Sequence, residues 1–245
     1  MHETSSRNTP PRRNKFVIIV LLAFVLIFAS LSVFLSLRSG IFSLLLVKLG
    51  LQEDVPVNKD PYKAWANCLN QLDIDADIVF IGDSITANGN FQSLIPNKTV
   101  CNLGCYGDQI WDVTARINAV KTVTPEEIYI MIGTNTLACR TLEQAMRSYS
   151  FMADTYISSL PDCKITFISI LPVTAQLENG ARTNTNIQIF NTFIRSTAEK
   201  LNSSYVDLFH LYVFDGALNP DYTNDGLHIT KDSYSIWANA IRNDN

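Results

Sequence analysis

Ser84 stands in IGDSI, where an apolar run turns into a helical pattern. A hydroxyl presented there, at the positive end of a helix dipole, suits a nucleophile whose attack creates an oxyanion. Such a serine needs a base, and the base needs a carboxylate to orient it. The chain has three histidines, His2, His210 and His228, and His2 belongs to a basic N-terminal tail. His228 closes the tetrapeptide Asp225-Gly226-Leu227-His228, a spacing that lets the carboxylate turn back onto the imidazole and fix its tautomer. Asn135, in IGTN, offers a carboxamide to a developing oxyanion, and so does a glycine N–H in NLGCYGD. The chemistry open to this set is nucleophilic attack by a serine with stabilisation of the oxyanion that forms. Each residue also has a structural use: Ser84 and Asn135 as helix caps, Asp225 and His228 as parts of a turn-rich surface loop.

The elements that must position these residues are legible from periodicity. DIVFIG (77–82), TVCNLG (99–104), EIYIMIG (127–133), KITFISIL (164–171) and SYVDL (204–208) are predicted strands, apolar enough to be buried on both faces. Helical spacing covers 61–71, 110–121, 141–159 and 185–202, with a closing helix over 231–242. Thr141 with Gln144 forms a capping-box signature at one of these starts. Strand–helix alternation predicts a parallel sheet with helices on both faces. Ligands of such sheets bind beyond the carboxyl ends of the strands, where Ser84, Gly104 to Asp108, Asn135 and Pro172 all fall.

Four blocks in this order resemble the SGNH/GDSL hydrolase superfamily, over roughly residues 77 to 240. The resemblance implies an α/β fold of three layers, α/β/α, around a flavodoxin-like five-stranded parallel sheet. It implies that Ser84 is the nucleophile and one oxyanion donor, that His228 is the base and that Asp225 is its partner. Gly107, which precedes the aspartate in NLGCYGD, is the expected second donor ahead of Gly104, and Asn135 is the third. No metal or organic cofactor is implied. One departure is Thr136, where many members carry Asp or Asn after the GTN block, and it bears on substrate contacts.

The 245 residues are 47% hydrophobic and 17% charged, with a mean hydropathy of +0.10. Residues 16–37 account for much of this: FVIIVLLAFVLIFASLSVFLSL holds no charge, and as a helix it is about 33 Å long, enough to cross a bilayer core. Arg7, Arg12, Arg13 and Lys15 precede it, which predicts a cytoplasmic N-terminus and an extracytoplasmic remainder. An uncleaved signal-anchor is expected, since the stretch is longer than a signal peptide's and Ala29-Ser30-Leu31 is a poor cleavage site. The expected organisation is a basic tail (1–15), a transmembrane span (16–37), a juxtamembrane linker (38–59) and a hydrolase domain (60–245). Residues 1–38 hold five cations and one anion, leaving 14 cations and 22 anions for the rest of the chain. That acidic remainder, in a chain of pI about 5.3, argues against a nucleic-acid partner.

The expected substrate is an acylated glycan or a lysolipid, with a short acyl group such as acetate on sugar favoured by the polar loops GALNPDYTND and QLENGARTNTN. Acyl transfer uses the same residues, and a non-catalytic carbohydrate- or lipid-binding domain is the rival reading. Cys68, Cys101, Cys105, Cys139 and Cys163 are expected to be small buried residues rather than disulfide partners, and Cys101-x-x-x-Cys105 lacks the neighbours of a metal site.

Overall fold

A computed structural model of the chain describes residues 75–243. The predicted tail, transmembrane span and linker, the predicted helix over 61–71 and Cys68 lie outside the described residues. Among the described residues, no helix is long and apolar enough to cross a membrane.

Five strands form one parallel sheet: β1 (Ile78–Gly82), β2 (Val100–Gly104), β3 (Glu127–Met131), β4 (Lys164–Ile168) and β5 (Ser204–Val206), in the order β2-β1-β3-β4-β5. The β1 run IVFIG is buried at every position, as expected of a central strand covered on both faces. A shorter antiparallel hairpin, β6 (Val213–Phe214) with β7 (Ala217–Leu218), follows. Helices α1 (Ser84–Ala87) and α2 (Phe91–Leu94) connect β1 to β2; α3 (Ile110–Ala115) and α4 (Ile117–Lys121) lead to β3. After β3 come α5 (Thr134–Cys139) and α6 (Leu142–Ser159), then α7 (Asn184–Lys200) between β4 and β5, α8 (Phe209–Tyr212) and the closing α9 (Tyr234–Asn243).

Helices cover both faces, giving three layers. On one face Phe80 of β1 stacks on Phe91 of α2, with ring centroids 3.8 Å apart, and Trp237 of α9 meets Phe91 edge-on at 5.0 Å. On the other, Tyr149 of α6 packs against Phe167 of β4 and Phe190 of α7. The predicted capping box is present, with Thr141 Oγ1 accepting from Gln144 N and Gln144 Oε1 accepting from Thr141 N.

Three predicted strands end early, the third, fourth and fifth, and for the last two the reason is identifiable. The apolar run of the fourth continues to Leu171, but Asn191 of α7 takes over the Ile170 backbone, accepting its N–H at 2.8 Å and donating to its carbonyl at 2.9 Å. Beyond β5, the N–H groups of Leu208 and Phe209 donate to Ser169 Oγ, each at 2.8 Å. Side chains there replace the sheet ladder. The predicted helix over 110–121 is two helices that meet at Arg116.

Candidate active site

Strand order decides where the site falls. β2 and β3 flank β1 on opposite sides, so the chain leaves the carboxyl ends of β1 and β3 in diverging directions and opens a crevice between them. Gly82 pairs with Gly104 on one side and with Met131 on the other, so the loops after three strands start level. Ser84 begins α1 directly beyond β1, and Asn135 lies in the first turn of α5 beyond β3. Asp83, rather than Ser84, caps α1: its Oδ1 accepts from Ile85 N at 2.9 Å. The serine hydroxyl is thereby left for other work.

That hydroxyl lies 2.8 Å from Nε2 of His228, 144 positions away in sequence. On the far side of the ring, Nδ1 lies 2.7 Å from Asp225 Oδ2. The three-residue spacing succeeds because the carboxylate divides its labour. Oδ1 accepts the backbone N–H groups of Leu227 and His228, at 2.9 and 2.8 Å, which closes an Asx-type turn and leaves Oδ2 for the imidazole. Thr223 locks the turn by donating to the His228 carbonyl at 2.7 Å and accepting from Gly226 N at 2.8 Å. Gly226 takes φ +85, and a Cβ there would come within 2.2 Å of Thr174 Oγ1, so only glycine fits both the turn and its neighbour. Burial opposes ionisation of Asp225, but hydrogen bonds from the His228 ring and from the two backbone N–H groups outweigh it and hold the carboxyl at about 2. The pair is therefore ready to orient the ring and to stabilise an imidazolium.

The structure separates the two glycines that compete as oxyanion donors. The Gly104 N–H is consumed by Asn102 Oδ1 at 2.9 Å, while Asn102 Nδ2 donates to the carbonyls of Thr86 and Gly89 and so ties β2 to α1. Gly107 lies in an exposed turn with φ +79, and no hydrogen bond engages its N–H among the described residues. Asn135 Nδ2 gives one hydrogen to the Asp108 carbonyl at 3.0 Å, keeping the second for a ligand. Thr136 is fully buried and accepts from Ile110 N at 3.1 Å, so at this departure from the family pattern the side chain joins α5 to α3.

Arg116 has a part in the site that the sequence alone did not suggest. Its guanidinium, 1% exposed, reaches the carbonyls of Gly82 and Leu103 and pairs with the buried carboxylate of Asp108. One cation thus joins the ends of β1 and β2 to the residue after Gly107 and holds the loop from which Asn135 takes its support. The available signal was a single arginine inside the apolar helical pattern IWDVTARINAV. Asp83, also buried, is pushed up to about 7, by burial first, with Asp108 adding to the rise and the Ile85 N–H and His228 opposing it. Among the described residues no group of three or more His, Cys, Asp or Glu side chains is placed to hold a metal ion. The expectation of buried cysteines is not met among the described residues: Cys139 is exposed, its thiol 2.8 Å from Gln109 Oε1, and Cys101, Cys105 and Cys163 are only partly buried, enough to raise their thiols.

A hydroxyl on an imidazole, backed by a carboxylate and set at the switch point of a parallel α/β sheet, is the architecture of serine hydrolases. The chain belongs to the GDSL-like lipase/acylhydrolase family, whose model matches residues 80–236, and it is a serine hydrolase acting on ester bonds. Solved structures share its fold. A Streptococcus pneumonia protein described as a platelet activating factor is 25% identical, with a TM-score of 0.67 over 83% of this chain and 98% of that one. A GDSL-like lipase from Bacteroides thetaiotaomicron is 21% identical, with a TM-score of 0.63 over 76% of this chain and 96% of that one. The acetyl xylan esterase AlAXEase is 16% identical, with a TM-score of 0.58 over 68% of this chain and 98% of that one. Among curated proteins, none matches the sequence.

Proposed function

We propose that this protein is a membrane-tethered, extracytoplasmic esterase that removes short acyl groups, acetate foremost, from carbohydrate. The observation that carries the mechanism is the unbroken chain of contacts from Ser84 Oγ through His228 to Asp225, at 2.8 and 2.7 Å. His228 takes the Ser84 proton as the oxygen attacks the ester carbonyl, and Asp225 holds the ring and the charge it gains. The N–H groups of Ser84 and Gly107 and the amide of Asn135 receive the oxyanion. His228 then protonates the leaving alcohol, and water, activated by the same ring, cleaves the acyl-enzyme.

A sugar as leaving group is supported by the polar rim. Asn88 holds the Tyr106 hydroxyl beside Gly107, Gln109 lies against Cys139 one helical turn from Asn135, and Thr223 stands behind His228. The likeness of the fold to an acetyl xylan esterase points the same way. The tether rests on the uncharged segment 16–37 and its basic flank.

The test is acetate release from acetylated xylan, and hydrolysis of p-nitrophenyl acetate and p-nitrophenyl decanoate, by the full-length chain in detergent. We expect turnover of the acetyl substrates, with Ser84→Ala lowering kcat by roughly 10⁴-fold or more. A preference for decanoate, with no acetate released from xylan, favours an acyl-lipid substrate instead. Protease added to intact cells is expected to digest the catalytic domain; protection overturns the topology.

A further inference from the structure

The geometry points to a second binding site on this domain, a subsite for one ring of a neutral glycan chain, in the groove between α7 and the end of β5. It rests on the carbohydrate reading of the substrate and places a second foothold for that substrate. The groove measures about 210 Å³ and is lined by Gln188, Thr192, Arg195, Tyr205, Asp207 and His210. Sites for drug-sized ligands measure roughly 300–1,000 Å³, so this one suits a single ring rather than a buried chain.

Its lining is held in place before any ligand arrives. Asp207 Oδ2 accepts from Arg195 at 2.8 Å and lies 2.8 Å from His210 Nδ1. The Arg195 guanidinium lies over the Tyr205 ring at 4.9 Å, and the His210 ring meets Phe209 edge-on at 5.6 Å. Ser169 Oγ fixes the backbone behind them through Leu208 and Phe209. Gln188, Thr192 and Arg195 share one face of α7 by helical spacing, which aligns an amide, a hydroxyl and a guanidinium along the groove.

The chemistry of this lining selects the ligand class. One guanidinium is paired with one carboxylate at 2.8 Å, so these two fixed charges of the groove offset each other. The lining holds both donors and acceptors (the Gln188 amide, the Thr192 oxygen, the Arg195 guanidinium and the His210 Nε2), and hydroxyl groups suit such a mixture because each both donates and accepts. Asp207 and His210 repeat the spacing of Asp225 and His228, yet they do not form a second catalytic set. Ser169 Oγ lies on the carboxylate side, 3.5 Å from Asp207 Oδ1, and is occupied by two backbone N–H groups. The Nε2 edge of His210, on a side chain 74% exposed, faces no hydroxyl among the described residues and remains available to a ligand.

Position relates the groove to the catalytic crevice. Asp207 follows β5, and Ser84 follows β1, so both lie beyond the same carboxyl edge. Three strand spacings separate them, about 14 Å across the sheet. A glycan acetylated on the ring at Ser84 has to extend a few units further along its chain to reach the groove.

The experiment compares the full-length protein with Arg195→Gln and His210→Ala on acetylated xylohexaose and on p-nitrophenyl acetate. Both side chains are exposed, so folding is retained, and thermal melting checks it. The expected result is a KM for the hexaose raised about tenfold, the loss of one or two hydrogen bonds, with kcat and all p-nitrophenyl acetate kinetics unchanged. An unchanged KM on the hexaose overturns the subsite and leaves the esterase reading intact. A wild-type protein that cleaves p-nitrophenyl acetate but not the hexaose ester overturns the carbohydrate reading. In that event the groove is judged by calorimetric titration of unacetylated xylohexaose and of inorganic phosphate. Xylohexaose binding that the variants lose supports the subsite, and no binding, or binding of phosphate alone, overturns it.

Discussion

At the scale of single residues, the amide of Asn135 makes the sharpest prediction. Its amide gives one hydrogen to the Asp108 carbonyl, and the other is free to meet the oxyanion. Asn135→Ala should lower kcat by about 10²–10³-fold with little change in KM, measured on p-nitrophenyl acetate, because the bond strengthens only as charge develops. Asp83 predicts a pH effect on stability. Its carboxyl ionises near 3.8 in an unfolded chain but at about 7 when folded, so the folded state holds a proton that the unfolded state has released. This group's favourable contribution is complete below about pH 4 and declines until about pH 7, where it levels. Asp83→Asn keeps the cap on Ile85 and cannot ionise, so its stability relative to wild type should rise between pH 4.5 and pH 8 in urea denaturation. A difference that stays constant across that range rejects the argument. Ser84 and His228 stood out in the sequence only through the order of the four blocks IGDSI, NLGCYGD, IGTN and DGLH, and the structure sets the two side chains 2.8 Å apart. The choice of Gly107 over Gly104 was firmer only in three dimensions, since it depends on Asn102 reaching across to take one N–H.

At the scale of elements, the strands were legible because burial on both faces writes a continuous apolar run. Their ends were not, since Ile170 and Leu171 stay buried after Asn191 and Ser169 replace the ladder. The hairpin β6–β7 was missed because two-residue strands leave no periodicity to read. Nor could spacing show that Arg116 would split the helical pattern and carry charge into the junction of β1, β2 and the following loop. Arg116→Met takes the guanidinium away from the buried Asp108 carboxylate, and it should cost about 3–5 kcal/mol in denaturant unfolding. Adding Asp108→Leu removes the stranded charge and should recover most of that stability. If the double variant is no more stable than the single one, the ion pair is not what Arg116 supplies. Both variants are expected to turn over poorly, because the loop beside Gly107 and Asn135 loses its anchor.

At the scale of the whole molecule, the acidic remainder and an N-terminal segment made of basic flanks around the uncharged run 16–37 average to a nearly neutral hydropathy that describes neither. The layers of the domain are joined on one face by Phe80, Phe91 and Trp237, which bind α9 to the sheet. Trp237 is fully buried, and its indole N–H finds no partner among the described residues. Trp237→Ala should therefore cost about 3–5 kcal/mol, and Trp237→Phe distinctly less, by thermal and denaturant unfolding. Equal losses in the two variants speak for a role of the N–H that the packing does not reveal. The contact between Ser84 and His228 spans 144 positions, whereas His228 and Asp225 are neighbours in one turn. During synthesis Ser84 and its strand leave the ribosome long before His228. Until residues 225–228 emerge and dock, Ser84 lacks its imidazole contact, so under the proposed mechanism hydrolysis waits for a segment made long after the serine.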